Sequence, residues 1–349
     1  MDWNSVLFRL NKLANLVASE RKEAGGIGVL HFLSDGYVWG RSESIGFEVR
    51  YGGSIEASVS ASKFCDVVST LDATVAYDVS VEHGSFIIKG KGFEAKIQTV
   101  EGDASGGRRI VKYLLDHRDE LIGRKVSVGV RDDLVKILKK VAKISSAADG
   151  EYKSVCFDSR GVFATDRSRI ACCFVQVFDS RDKIVVPSPV LRQVFSVMED
   201  ETLVGAWAVD GRLYLEFGGG LYVEVASYNI DYPDLANILG KHKSKISEIV
   251  DVDPEVIDGV SGIVRVLDFS DIVYMTVKDG VLSLEVESVK GFNIRKDLQD
   301  VKISGSYRVG MRAKDLDIVD GIVEFGMSED VVYFKSREGI EYLVATIAK

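Results

Sequence analysis

Proline and cysteine are scarce in this 349-residue sequence, with four of each, and there are only four histidines. Four prolines against 33 glycines favour sheets joined by tight turns over irregular loops. The cysteines are Cys65, Cys156, Cys172 and Cys173. Their spacing fits neither a zinc site nor a disulfide framework, so they read as small core residues in a reducing compartment. No apolar run approaches the roughly 20 residues of a membrane span. The opening stretch carries Asp2, Arg9 and Lys12, unlike a signal peptide, which needs a basic start and an uninterrupted apolar middle. The expectation is a cytoplasmic protein without a membrane partner. An excess of positive charge is also missing: the formal net charge is -9. That excludes a basic nucleic-acid binder of the ordinary kind, but leaves room for a protein that meets a polyanion along one surface only.

A catalytic constellation is absent as well. His31, His83, His117 and His242 form no pair at metal-ligand spacing on a helix, and His31 lies in an apolar strand as a core residue would. Gly218-Gly219-Gly220 joins two alternating runs and lacks the Gly-Lys-Ser/Thr of a phosphate loop, so it reads as a hairpin turn. Asp166 stands between Thr165 and Arg167, close to Arg169, and reads as the partner of a turn or an arginine. The expectation is a non-enzymatic chain with no cofactor and no metal. The enzymatic alternative would be a hydrolase using Asp166 and a histidine.

What the sequence does contain is one pattern three times over, with a period of roughly 120 residues. An amphipathic helix leads into a Gly-punctuated hairpin; a second helix follows, then another hairpin. The first hairpins are VLHFLSDGYVWGRSESIGFEVRY (29–51), SVCFDSRGVFATDRSRIACCFVQV (154–177) and VYMTVKDGVLSLEVESVKGFNIRKD (273–297), with turn glycines at Gly36, Gly161 and Gly280. A valine and a short helix follow at Val59, Val186 and Val309. The closing hairpins cover 79–98, 207–227 and 325–346, and their period-2 alternation buries one face of each sheet. The predicted fold is α+β, in three tandem domains: 1–122, 123–240 and 241–349. The polar segment 101–125 and the basic GKHKSKISE (240–248) serve as junctions.

The helix predicted over DDLVKILKKVAKI (132–144) carries the sharpest chemical signal. Lys136, Lys139, Lys140 and Lys143 follow the spacing i, i+3, i+4, i+7, and so share an arc under about 120°. Leu134, Ile137, Leu138, Val141 and Ile144 occupy the other side. Like charges at these spacings are mildly destabilising, which points to a polyanion facing the stripe. Arg9 and Lys12 in the first helix, Arg192 in the middle repeat, and Arg265, Arg312 and Lys314 in the third extend the set. Contacts of this kind go to phosphates and ignore base sequence.

With the repeats in place, the sequence resembles the bacterial-type β sliding clamps, including phage-encoded versions. FATDRSRIA (163–171) is similar to that family's ATDGHRLA segment, IDYPDLANIL (230–239) to its FPDYRRVLP segment, and IVVPSPVLRQVFSVM (184–198) to its middle-domain second helix. YLVATIAK (342–349) stands where the family has a short apolar tail. Arg167-Ser168 replaces a Gly-His pair, Leu235 a tyrosine, Ala236-Asn237 two basic residues, and Ala345-Thr346 a Met-Pro pair.

The resemblance implies a crescent with helices inside and sheets outside, closed by a second copy into a homodimeric ring around double-stranded DNA. It implies a processivity factor for DNA replication, bound by a replicative DNA polymerase and a clamp loader through short linear peptides, in a bacterial or phage-infected cytoplasm. The pocket it implies for those peptides comprises Thr165, Arg167, Ser168, Arg169, Ile170, Pro233, Asn237, Ile238, Leu343, Val344 and Ala345, with Arg169 placed to hold a partner carbonyl or carboxylate. The alternative is a repeat-type binding module that encircles nothing, its lysine stripe merely solvated.

Overall fold

The computed structural model describes residues 2–18, 28–101, 109–117, 133–145, 150–177, 183–254, 267, 271–287, 293–303, 306–316 and 321–347. Among them, one order of strands, four and then three, recurs three times, with a helix before each group in the first two rounds. Helix α1 (Trp3–Ala18) precedes β1 (Val29–Phe32), β2 (Tyr37–Arg41), β3 (Ile45–Arg50) and β4 (Ala57–Ser60). Helix α2 (Ala61–Val68) and β5 (Tyr77–Glu82), β6 (Ser85–Gly90) and β7 (Phe93–Gln98) complete the first round. After α3 (Ile110–Asp116), the second round runs α4 (Leu134–Ser145), β8 (Ser154–Asp158), β9 (Gly161–Thr165), β10 (Arg169–Cys173) and β11 (Ile184–Pro187). It ends with α5 (Ser188–Val197), β12 (Leu203–Val209), β13 (Arg212–Phe217) and β14 (Leu221–Ala226). Helix α6 (Leu235–Lys243) and β15 (Ile249–Asp251) intervene. The third round then has β16 (Ile272–Lys278), β17 (Val281–Glu287), β18 (Asn293–Asp300), β19 (Tyr307–Arg312), β20 (Ile322–Met327), β21 (Val331–Ser336) and β22 (Ile340–Ala345). Gly36 and Gly280 hold φ of 85° and 78° at their turns, which a side chain adopts only at a cost.

One element departs from the sequence reading. The segment at Val309, expected to turn helical at once, continues as β19 through Arg312 and then makes a 3-10 turn at Ala313–Asp315. Val309 and Met311 are buried while Arg308 and Arg312 are exposed. The period of two outweighs the weak helical spacing there. Leu235–Lys243 is a further helix, so the basic 240–248 segment starts inside regular structure.

The chain divides into two compact units: residues 1–135, 177–186 and 190–229, and residues 136–176, 187–189 and 230–349. In the first, a seven-stranded sheet runs β12-β13-β14-β3-β2-β1-β4, beside the three-stranded β5-β6-β7. Helix α1 packs against α2, and Phe32, Phe64 and Phe86, all fully buried, meet with ring centroids 4.7–6.1 Å apart. Each such side chain stabilises by about 1.5–3 kcal/mol. The β3–β14 seam carries two buried carboxylates. Glu48 accepts from Arg109 at 2.7 Å and from the Val111 backbone N–H at 2.9 Å. Glu224 receives Arg41 at 2.6 Å and Arg212 at 2.7 Å.

In the second unit the strands run β8-β9-β10-β22-β21-β20-β15, and a separate sheet runs β18-β17-β16-β19. Helix α6 packs across β9 and β10. Asp234 caps it by accepting from the Asn237 backbone N–H at 3.1 Å, the arrangement that satisfies an otherwise orphaned first-turn donor.

Candidate functional site

In the second unit, the β9–β10 hairpin, α6 and the β21–β22 pair enclose a cavity of about 330 Å³, within the size range of ligand pockets. Pairing sets its floor: Ile170 faces Thr165 on one side and Leu343 on the other. Of the eleven residues expected to form a peptide pocket, Thr165, Arg167, Ser168, Ile170, Pro233, Ile238, Leu343 and Ala345 line it. Arg169, Asn237 and Val344 do not.

Strand alternation explains two of these three. Neighbours along a strand point to opposite faces, so Arg169 and Val344, paired with each other, turn away from the cavity. Val344 is fully buried. Arg169, 6% exposed, is gripped by Asp166 through Nε and Nη2 at 2.8 and 2.7 Å. It also donates to the Lys314 carbonyl at 2.9 Å and lies 3.8 Å from Asp315. It holds the hairpin turn to the 313–315 turn and has no face for a partner. Asn237 is exposed on α6, where its backbone N–H serves the helix cap.

The sequence reading missed Tyr152, Leu235, His242, Asp330 and Val331, which also line the cavity. Leu235 and His242 stand three residues before and four after Ile238, so helical spacing alone was a signal for them. Val331 faces Ala345 across β21–β22, a register no sequence pattern gives. Asp166 is occupied by its turn: its Oδ1 accepts from Ser168 and Arg169 backbone N–H groups at 3.1 and 2.8 Å.

The cations expected to meet phosphate fall into two groups. On α4 the apolar residues named above are buried, while Lys136 and Lys143 are exposed and Lys139 and Lys140 half-buried. Lys140 donates to Glu338 at 2.6 Å. Burial alone would push the Glu338 carboxyl up, but the Lys140 ammonium holds it below its ordinary value. In the first unit Lys12 and Arg192 are exposed on helices joined by a Gln193 to Asn15 carbonyl bond of 3.3 Å. Arg9 is instead engaged, with Glu201 at 3.0 Å and the Gly218 carbonyl at 3.2 Å. Arg312 pairs with Asp315 at 3.2 Å. Arg265 lies outside the described residues.

The four cysteines are buried and unpaired with one another, and burial pushes the Cys65 thiol up to about 11. Among the described residues, no cluster of three His, Cys, Asp or Glu side chains could hold a metal ion, and no helix is long and apolar enough to cross a membrane.

No protein-family model matches the sequence, and no curated protein matches it. Solved structures do. A DNA polymerase sliding clamp from Pseudomonas aeruginosa superposes with a TM-score of 0.73 at 16% identity, covering 98% of both chains. A sliding clamp from the same organism bound to griselimycin gives 0.75 at 14% identity over 98% of this chain and 97% of that one. The Helicobacter pylori beta clamp bound to a DNA ligase peptide gives 0.72 at 15% identity over 99% and 98%. The mixed helices and antiparallel sheets described above follow that architecture over nearly the whole length: the chain has the fold of the bacterial β sliding clamps.

Proposed function

We propose that this chain is a DNA sliding clamp: three tandem domains, 1–122, 123–240 and 241–349, of which two copies close a ring around duplex DNA and tether a replicative polymerase. The observation that carries the reading is a rule of strand pairing. The third strand of one round's first hairpin pairs with the last strand of the following round, β3 with β14 and β10 with β22. The series runs out at β18, which ends its sheet, while β7 ends the three-stranded sheet of the first round. A second copy supplies what each edge lacks, β18 of one chain meeting β7 of the other. Head-to-tail contacts that close on themselves give a ring rather than a filament, and closure removes edges that would otherwise be sticky.

A ring explains the charge pattern. Lys12, Lys136, Lys139, Lys143 and Arg192 offer phosphate contacts without base readout, which suits a protein that slides. Topology, rather than affinity, then retains it on DNA, and the tether raises the polymerase's effective concentration at the primer end. The apolar cavity at Ile170 and Leu343 takes a short linear peptide of the polymerase or a loader, by analogy with the Helicobacter pylori clamp that holds a ligase peptide. The protein acts without catalysis, in the cytoplasm of a bacterium or a phage-infected cell.

Light scattering tests the mass, and retention on nicked circular against linearised DNA tests encirclement. The expected result is a dimer kept on circles and lost from linear DNA. A monomer retained equally on both, with steep salt dependence, is the behaviour of the non-encircling module.

A further inference from the structure

Arg167 lines the cavity with a backbone that works against its identity. It sits at φ 77°, a left-handed conformation that L side chains other than Asn and Asp seldom adopt. The clamp family's ATDGHRLA segment has glycine at this place, and glycine takes that conformation freely. A bulky side chain kept at a strained φ beside a cavity calls for a use of the side chain itself.

The surroundings say what that use is. The Arg167 guanidinium lies over the Tyr152 ring, 4.5 Å from its centroid, and both residues line the cavity. The backbone N–H is held by Thr165 Oγ1 at 3.1 Å, so the side chain projects from a fixed turn. Among the described residues no carboxylate pairs with this guanidinium. The nearest in sequence, Asp166, is taken by Arg169 at 2.7 Å. Asp330, the acidic residue of the lining, lies 3.7 Å from Lys245. Arg167 is therefore a cation at an apolar cavity whose planar face is steadied by an aromatic ring while its in-plane N–H edge stays available.

Resting on the reading of this cavity as a peptide site, we infer that Arg167 selects partner peptides bearing an acidic side chain next to their apolar anchor. The anchor enters between Ile170 and Leu343, and the flanking carboxylate accepts a forked pair of hydrogen bonds from Arg167, a geometry for which guanidinium is suited and ammonium is not. This role differs from the one expected of Arg169, whose donors are consumed inside the protein. Because Arg167 is exposed, solvent screens the pair. The selectivity is correspondingly modest, about threefold to fivefold in dissociation constant.

The test uses C-terminally amidated decapeptides with a central Leu-Leu pair and Asp or Asn scanned through the flanking positions, so that a side chain is their only carboxylate. Binding is measured by fluorescence anisotropy to the full-length protein, to Arg167→Gln and to Arg167→Lys. The expected result is an Asp-over-Asn preference at one flanking position, lost in Arg167→Gln, weakened in Arg167→Lys and reduced as salt is raised. Ile170→Glu, which puts a charge into the anchor site, abolishes binding of every peptide if the cavity is the site. Equal binding of Asp and Asn peptides by the unaltered protein, or a preference that survives Arg167→Gln, overturns the role of Arg167 alone. Peptide binding that survives Ile170→Glu, or no binding of any peptide, overturns the peptide-site reading along with it.

Discussion

Arg169 and Asp166, three residues apart, form a forked ion pair with distances of 2.7 and 2.8 Å in which both side chains are under 10% exposed. The pair closes the β9–β10 turn, and Asp315 draws in the same guanidinium from the far side. Removing one partner of a buried charge group leaves the others unpaired in a poorly solvating environment. Arg169→Ala is therefore expected to destabilise the protein by about 3–5 kcal/mol. Arg169→Lys keeps the charge but loses the fork and falls between. Urea denaturation followed by circular dichroism measures both. A loss below about 1 kcal/mol for the alanine variant would place the pair among weakly contributing surface bridges.

The Lys140–Glu338 pair makes a pH prediction. The Glu338 carboxyl is held below its ordinary value when folded. A depressed acid contributes stability that is present above its unfolded pKa and lost as pH falls through the lower folded one. Stability from this pair is therefore intact at neutral pH and fades only in acid. The same carboxylate offsets one cation of the stripe. Glu338→Gln is expected to cost at most about 1 kcal/mol of stability while strengthening sequence-independent DNA binding at neutral pH, read by anisotropy on duplex DNA. Unchanged or weaker DNA binding would remove Lys140 from the DNA-facing set.

Lys136 and Lys143, both exposed on the same helix as Lys140, are the cleaner reporters of phosphate contact. Each lysine that neutralises a phosphate contributes about 0.9 to the slope of log affinity against log salt. Lys136→Ala with Lys143→Ala is expected to flatten that slope by nearly two, with no dependence on DNA sequence. A slope identical to that of the unaltered protein means that these lysines are a solvated face and nothing more.

Much of the fold is legible in the residues alone. Three rounds of alternating strands with glycine turns stand out because sheet burial repeats every second residue, as Val273, Met275 and Val277 show. The cavity is legible where it rests on local segments: Thr165 to Ile170, Pro233 to Ile238, and the tail. The outward turn of Arg169 and Val344 is legible too, once alternation is followed through from Ile170 and Leu343. Asp330, Val331 and Tyr152 are out of reach, because they join the cavity through strand register and a stacked ring rather than through sequence spacing. Arg9 reads as a free helix-face cation until folding brings Glu201, far along the chain, within 3.0 Å.

The proposed ring depends on β7 meeting β18 of a second copy, and a small set of cysteine pairs tests it across the registers open to the two strands. Glu94 and Lys96 are exposed on β7, ahead of the buried Ile97, while Arg295 and Asp297 are exposed on β18. In an antiparallel pair, directly opposed side chains have Cβ atoms about 4.5–5.5 Å apart, close enough for a disulfide with slight adjustment. The native cysteines are buried, so they do not compete in mild oxidation of the folded protein. Position 94 or 96 changed to cysteine, combined with 295 or 297, gives four double variants. At least one is expected to yield covalently joined chains on non-reducing gels, and each single variant none. Because both junctions of one ring can be oxidised, that variant should also become resistant to dissociation on dilution and stay on circular DNA through a high-salt wash. If all four remain single chains at concentrations where light scattering reports a dimer, the two copies associate through other surfaces and the strand-pairing rule does not extend across them.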